Sequence, residues 1–118
     1  MQKFRKLEIW NRAMEFIEEI YKATNAFPAV EMYGLTSQIR RSAISIALNI
    51  AEGSGSESDL EFNRFLSISI KSSYEVMCGL EIAKRLKFLN SEADLLLKRC
   101  DELCAMITGL KKRLRAER

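Results

Sequence analysis

Residues 34–56 read Gly34-Leu-Thr-Ser-Gln-Ile-Arg-Arg-Ser-Ala-Ile-Ser-Ile-Ala-Leu-Asn-Ile-Ala-Glu-Gly-Ser-Gly-Ser56. At about 100° of rotation per residue, Leu35, Ile39, Ala43, Ile44, Ile46, Ala47, Leu48, Ile50 and Ala51 spread over well more than half of a helix circumference. Gln38, Arg41, Ser42, Ser45, Asn49 and Glu52 form one narrow polar stripe on the remainder. A helix touching a single core needs an apolar arc of only about 100°. The surplus predicts a second covering surface, most economically another subunit.

Outward from this stretch the chain reads as further helices. Phe4, Leu7, Trp10, Met14, Ile17, Tyr21 and Thr24 recur every three or four residues and predict a first helix over 7–26. Pro28 disfavours helical backbone at Phe27 and stops it. The second helix is expected over 34–53, with Gly53 in the left-handed position that ends many helices. Ser58 followed three residues later by Glu61 has the form of a capping box, so a third helix is expected over 57–88. Its main apolar face holds Phe62, Phe65, Leu66, Val76, Met77, Leu80 and Ala83, with Ser69 and Ser73 among them. A second, mixed face carries Ile68, Cys78, Ile82 and Leu86 beside charged residues. Leu96, Cys100, Leu103, Ile107, Leu110 and Leu114 alternate by four and three, the seam of bundle packing, in a fourth helix over 91–115.

Short connectors make successive helices antiparallel neighbours. The expectation is a single all-α domain over residues 1–118, an antiparallel up-down-up-down four-helix bundle that associates with copies of itself. One proline and five glycines leave little material for the many turns of a β fold. No apolar run reaches the ~18 residues of a membrane span, and the N-terminus has no signal-peptide pattern. A cytoplasmic protein without a membrane partner is expected.

Chemistry is sparse. There is no histidine, which removes the commonest general acid or base and any Ser-His-Asp or Cys-His arrangement. Cys100 and Cys104 could each offer sulfur to one metal, but only Cys78 remains as a third thiol, short of a closed four-ligand zinc site. As small buried hydrophobes they fit a reducing compartment equally well. Gly53-Ser54-Gly55-Ser56 lacks the lysine of a phosphate-binding loop. The expectation is a protein that is not an enzyme and uses no metal or cofactor.

Two polar features remain. The net charge of +3 gathers at the C-terminus, where Lys111, Lys112, Arg113, Arg115 and Arg118 fall within eight residues. Cations there complement the helix dipole, and they could equally form a polyanion-binding surface. On the second helix, Arg41, Asn49 and Glu52 either face solvent or join a hydrogen-bonded network that fixes register. Arg40 projects from within the apolar arc, so its head must meet a carboxylate or snorkel outward; phosphate recognition by Arg40 or Arg41 is a further reading.

The chain also resembles the 23S rRNA intervening-sequence protein family, the four-helix bundle proteins. The resemblance rests on Leu7 to Trp10, Phe27-Pro28 with Glu31, Tyr33 to Arg41, Asn49-Ile-Ala-Glu-Gly53, and Glu61-Phe62 to Leu66, and it covers about residues 4–110. Ser54 stands where the family commonly has a basic residue, and Lys71-Ser72 where it often has Gly-Ser. The resemblance implies an antiparallel bundle assembling as a ring, typically a homopentamer, associated in some genomes with insertions in the 23S rRNA gene. The accessory proteins of diversity-generating retroelements are a related branch of basic pentameric barrels that work with a reverse transcriptase and nucleic acid. The functional expectation is a homo-oligomeric scaffold that contacts RNA or a ribonucleoprotein through Lys111, Lys112, Arg113 and Arg115, with Arg40, Arg41, Asn49 and Glu52 in a structural network. The alternative is a protein–protein interaction module with no nucleic-acid role.

Overall fold

The computed structural model describes residues 2–116, and within them all regular structure is helical. Four α-helices follow a short 3-10 turn at Lys3–Lys6: α1 (Glu8–Thr24), α2 (Leu35–Ser54), α3 (Asp59–Arg85) and α4 (Glu92–Ala116). A second 3-10 turn, Ala29–Glu31, lies between α1 and α2. The molecule is an elongated globule of 47 × 23 × 19 Å.

Local chemistry places the helix ends. Ser58 is the N-cap of α3, its hydroxyl accepting from the Glu61 amide at 3.1 Å. At the other end Lys87 takes φ 65°. The Phe88 amide reaches back to the Ala83 carbonyl at 2.9 Å, and the Lys87 amide to Lys84 at 3.1 Å. This is a Schellman closure with lysine in the position glycine usually holds, and it ends α3 three residues before the expected 88.

Gly53 corrects an expectation. No glycine has positive φ, and α2 runs through Gly53 to Ser54. Gly53 is there because α3 is so close: a Cβ would stand 2.7 Å from Phe65 Cβ and 2.8 Å from Phe62 Cδ1. Gly79 does the same from the α3 side, where a Cβ would fall 2.6 Å from Ile39 Cγ1. Between these two points Ser42 donates to Glu75 Oε2 at 3.0 Å, Ser45 and Ser72 share a hydrogen bond at 2.8 Å, and Ser69 donates to the Ile46 carbonyl at 2.9 Å. Later positions of α2 thus meet earlier positions of α3. On α3 and α4 the meeting pairs are Lys84 with Asp94, Ser73 with Cys100, and Ser67 with Lys111.

The core is one cluster that includes Ile20, Ile39, Ile46, Ile50, Leu66, Val76, Leu80, Cys100 and Ile107. In α1 the buried residues are Ile9, Ala13, Phe16, Ile20 and Thr24; Thr24 belongs to the stripe the spacing picks out, and the other four lie one residue away from it. Trp10, Met14, Ile17 and Tyr21 are half-buried or exposed instead. The apolar arc of α1 is wide, and both stripes satisfy a helical period; packing in the bundle buries the one that holds the small Ala13. The other stripe has a use of its own. Phe4, Trp10, Met14 and Ile17 line an apolar groove of about 370 Å³ with Ile44, Leu48 and Ala51 of α2. On α3, Leu60, Ile68 and Ile82 are also exposed, as is Leu86 just beyond its end.

Candidate nucleic-acid interface

The four C-terminal cations do not share one environment. Lys111 is half-buried, and its Nζ donates to Ser67 Oγ at 2.6 Å. Its carbonyl accepts from Asn63 Nδ2 at 3.3 Å. Lys111 therefore ties α4 to α3. Lys112, Arg113 and Arg115 are exposed, as their positions on the outer side of α4 require. Arg118 lies outside the described residues.

The N-terminus comes to the same end of the molecule. The 3-10 turn carries Lys3, Arg5 and Lys6, all exposed. It is fixed by an edge-on contact of Phe4 with Trp10, ring centroids 4.9 Å apart, and by Asn11 Nδ2 donating to the Arg5 carbonyl at 3.1 Å. Lys3 lines a recess with Leu114 of α4 and with Glu57 and Asp59 of the α2–α3 region. Leu7 and Glu8 line the adjoining recess with Arg113. Sequence reading missed this neighbourhood because five acidic residues balance the five basic ones over residues 1–33. The available signal was the order: three cations precede the first carboxylate, Glu8.

The polar stripe of α2 divides. Ser42 and Ser45 bond across to α3, and Asn49 Nδ2 donates to the Ser45 carbonyl at 2.8 Å and to its hydroxyl at 3.1 Å. Arg41 and Glu52 are exposed and make no side-chain hydrogen bond or ion pair among the described residues. Arg40 neither meets a carboxylate nor runs out to solvent. Its guanidinium lies 4.3 Å from the Tyr21 ring centroid, a cation–π distance. Its Nε donates to Thr24 Oγ1 at 2.8 Å and its Nη2 to Asn25 Oδ1 at 3.2 Å. Arg40 thereby fastens the start of α2 to the end of α1.

The thiols are separated by burial. Cys100 and Cys104 are buried, while Cys78 is exposed. Burial, with smaller contributions from Cys104 and Asp101, pushes the Cys100 thiol up to about 12, and burial also raises Cys104. Both remain thiols rather than nucleophilic thiolates near neutral pH. A mixed-charge recess of about 440 Å³ between α1 and α4 holds Glu15, Glu18, Glu102 and the Arg99–Glu19 ion pair. Among the described residues, no group of three His, Cys, Asp or Glu is placed to hold a metal ion. None of the described helices is long and apolar enough to cross a membrane.

These features define an all-α protein of four long helices with a basic end. The 23S rRNA-intervening sequence protein family matches residues 5–109, and the chain belongs to that family. The crystal structure of a protein with unknown function from the S23 ribosomal protein family of Bacteroides thetaiotaomicron VPI-5482 is similar at 25% identity and a TM-score of 0.78. The match covers 88% of this chain and 98% of that one. No curated protein matches the chain.

Proposed function

We propose that the chain is the subunit of a non-enzymatic cytoplasmic scaffold. In this reading each subunit is an antiparallel up-down-up-down bundle. Copies associate as a closed ring, the pentamer being the stoichiometry that family resemblance implies, and the basic surface of the ring binds RNA or a ribonucleoprotein. The observation that carries the reading is the presence of exposed apolar side chains on two distinct faces of one chain. One is the α1–α2 groove around Trp10 and Leu48; the other is the α3 stripe through Ile68, Ile82 and Leu86. A two-fold dimer uses the same patch on both partners, whereas two unlike patches meeting head to tail generate rings where the rotation closes and open filaments where it does not. The order of contacts between α2, α3 and α4 supports the antiparallel arrangement within each subunit.

Light scattering tests the assembly: the expected mass is that of a ring of three or more 13.6 kDa chains, and a monomer or a two-fold dimer overturns it. Leu48→Glu, in the groove, should dissociate the oligomer while leaving each subunit helical. Binding to a structured RNA at moderate salt tests the function. The docking of a protein partner without nucleic acid is the competing outcome, marked by a pull-down that nuclease does not affect. It draws support from the engagement of Lys111 by Ser67, which leaves fewer exposed cations on α4.

A further inference from the structure

We infer that the nucleic-acid surface is made by both ends of the chain together, with the Lys3–Lys6 turn as an equal partner of the last turns of α4. This rests on the RNA-binding reading above and assigns that reading its site. The ligand chemistry is the phosphate backbone of RNA.

Three observations place the two segments on one surface. Lys3 shares a recess with Leu114, and Leu7, the residue after the turn, shares the adjoining recess with Arg113. The turn is held against α1, not left as a tail, by the Phe4–Trp10 contact and the Asn11–Arg5 hydrogen bond. Lys3, Arg5, Lys6, Lys112, Arg113 and Arg115 are all exposed. A fixed array of cations neutralises several phosphates at once with less loss of backbone freedom than a tail would suffer on binding.

The local carboxylates, including Glu52 in the last turn of α2, unpaired among the described residues, offset this array only in part. Glu8 pairs with Arg12 at 3.7 Å, and Glu61 with Arg64 at 3.6 Å. Glu57 and Asp59 share the Lys3 recess and weaken that cation most. Among the described residues, no carboxylate lies within ion-pair distance of Arg5, Lys6, Lys112, Arg113 or Arg115. The rings at this end are engaged, Phe4 with Trp10 and Arg5 over the Phe4 ring at 5.7 Å from its centroid. The surface therefore offers charge without a free stacking platform, which suits a helical stem held by its backbone rather than splayed single-stranded bases.

The test is a salt titration of binding to a fluorescent RNA hairpin with a long stem, with a DNA hairpin of the same sequence as the second arm. Three variants of the full chain each lose three charges: K3Q/R5Q/K6Q, K112Q/R113Q/R115Q, and R85Q/K87Q/K98Q around the α3–α4 turn at the far end. Each phosphate contact contributes roughly 0.7 to 0.9 to the slope of log K against log salt. The first two variants should each lower the slope by about 2 and weaken binding on the order of tenfold or more. The far-end variant should bind as the unaltered chain does. R5K, which keeps the charge, should keep the slope, and unchanged oligomer mass and helicity in each variant show that the fold is intact. Equal losses in all three variants would mean that net charge alone is read. A loss only in K112Q/R113Q/R115Q would remove the N-terminal turn from the site while leaving the RNA-binding function standing. No binding by the unaltered chain would overturn both. Tighter binding to the DNA hairpin would overturn RNA as the ligand.

Discussion

The two seams that hold α3 are built from opposite materials. Against α2 it presents Gly79, Ser69 and Ser72, and receives Gly53, Ser42 and Ser45. Against α4 it meets Cys100 and Ile107 in the core, with Lys84–Asp94 and Lys111–Ser67 closing the two ends. The first seam is tight because a small residue on one helix faces a large one on the other; the second is held by larger side chains and by the pairs at its ends. Small residues let backbones approach until a hydroxyl reaches the neighbouring carbonyl. Branched residues keep helices apart and exclude water. The seams should therefore fail in different ways.

The largest expected effect is on the α4 seam. Ile107 is fully buried, and Ile107→Ala should lower the unfolding free energy by about 3–4 kcal/mol through lost transfer energy and a cavity. Urea denaturation measures it, and a loss under 1 kcal/mol would mean that the seam collapses around the gap. The same seam should be the alkaline-sensitive one. Cys100, pushed up to about 12 by burial, stays protonated in the fold after the unfolded thiol has ionised. Its contribution is complete below the unfolded pKa of roughly 8.5 and is lost as pH rises through the folded value. The slope approaches about 1.4 kcal/mol per pH unit. Cys100→Ala should flatten the fall between pH 9 and 12, which pH-resolved thermal melts would reveal. At pH 8, thiol labelling should show Cys78 reacting at once and Cys100 and Cys104 only on unfolding.

A smaller effect of unusual sign belongs to the α2 seam. Alanine in a helix interior normally gains about 1 kcal/mol over glycine. Gly53→Ala should instead cost about 1–2 kcal/mol, because overpacking against Phe62 and Phe65 outweighs that gain. Gly109→Ala is the contrast on α4: its Cβ would meet only Arg113 Nη1 at 3.7 Å, so it should stabilise by up to about 1 kcal/mol. Similar responses from the two glycines would mean that the close approach of α3 does not set the cost at Gly53. Last, Ser69→Ala should cost about 1 kcal/mol for its hydrogen bond to the Ile46 carbonyl. Ser67→Ala should cost less, since its bond to the Lys111 ammonium is only part-buried and the ammonium can turn to water.

Much of the architecture was legible because helix boundaries are local. The Phe27-Pro28 stop, the Ser58 cap and the four-three spacing from Leu96 to Leu114 each act within a few residues, and no distant partner is needed to read them. Of the proposed site only part is legible. Lys112, Arg113 and Arg115 stand out by their density in the sequence, but Lys3, Arg5 and Lys6 do not, because they lie more than a hundred residues from the last turns of α4 in a stretch whose charges balance. Lys111 looked like its neighbours until Ser67 was seen to hold it.

What the sequence by itself determined is the set of helices and the apolar surplus of α2 and α3, since periodicity and chain breakers are properties of single segments. Tertiary structure decided what each face meets. It chose the Ile9–Ala13–Phe16–Ile20 side of α1 over its neighbour, turned Ser42 and Ser45 toward α3, and set Arg40 over Tyr21. It also made Gly53 a point of helix contact rather than a helix end. A helical period fixes the direction in which a side chain leaves its own axis. It carries no information about the neighbour in that direction, and for serine, glycine and arginine that neighbour decides whether the residue is buried, bonded or free.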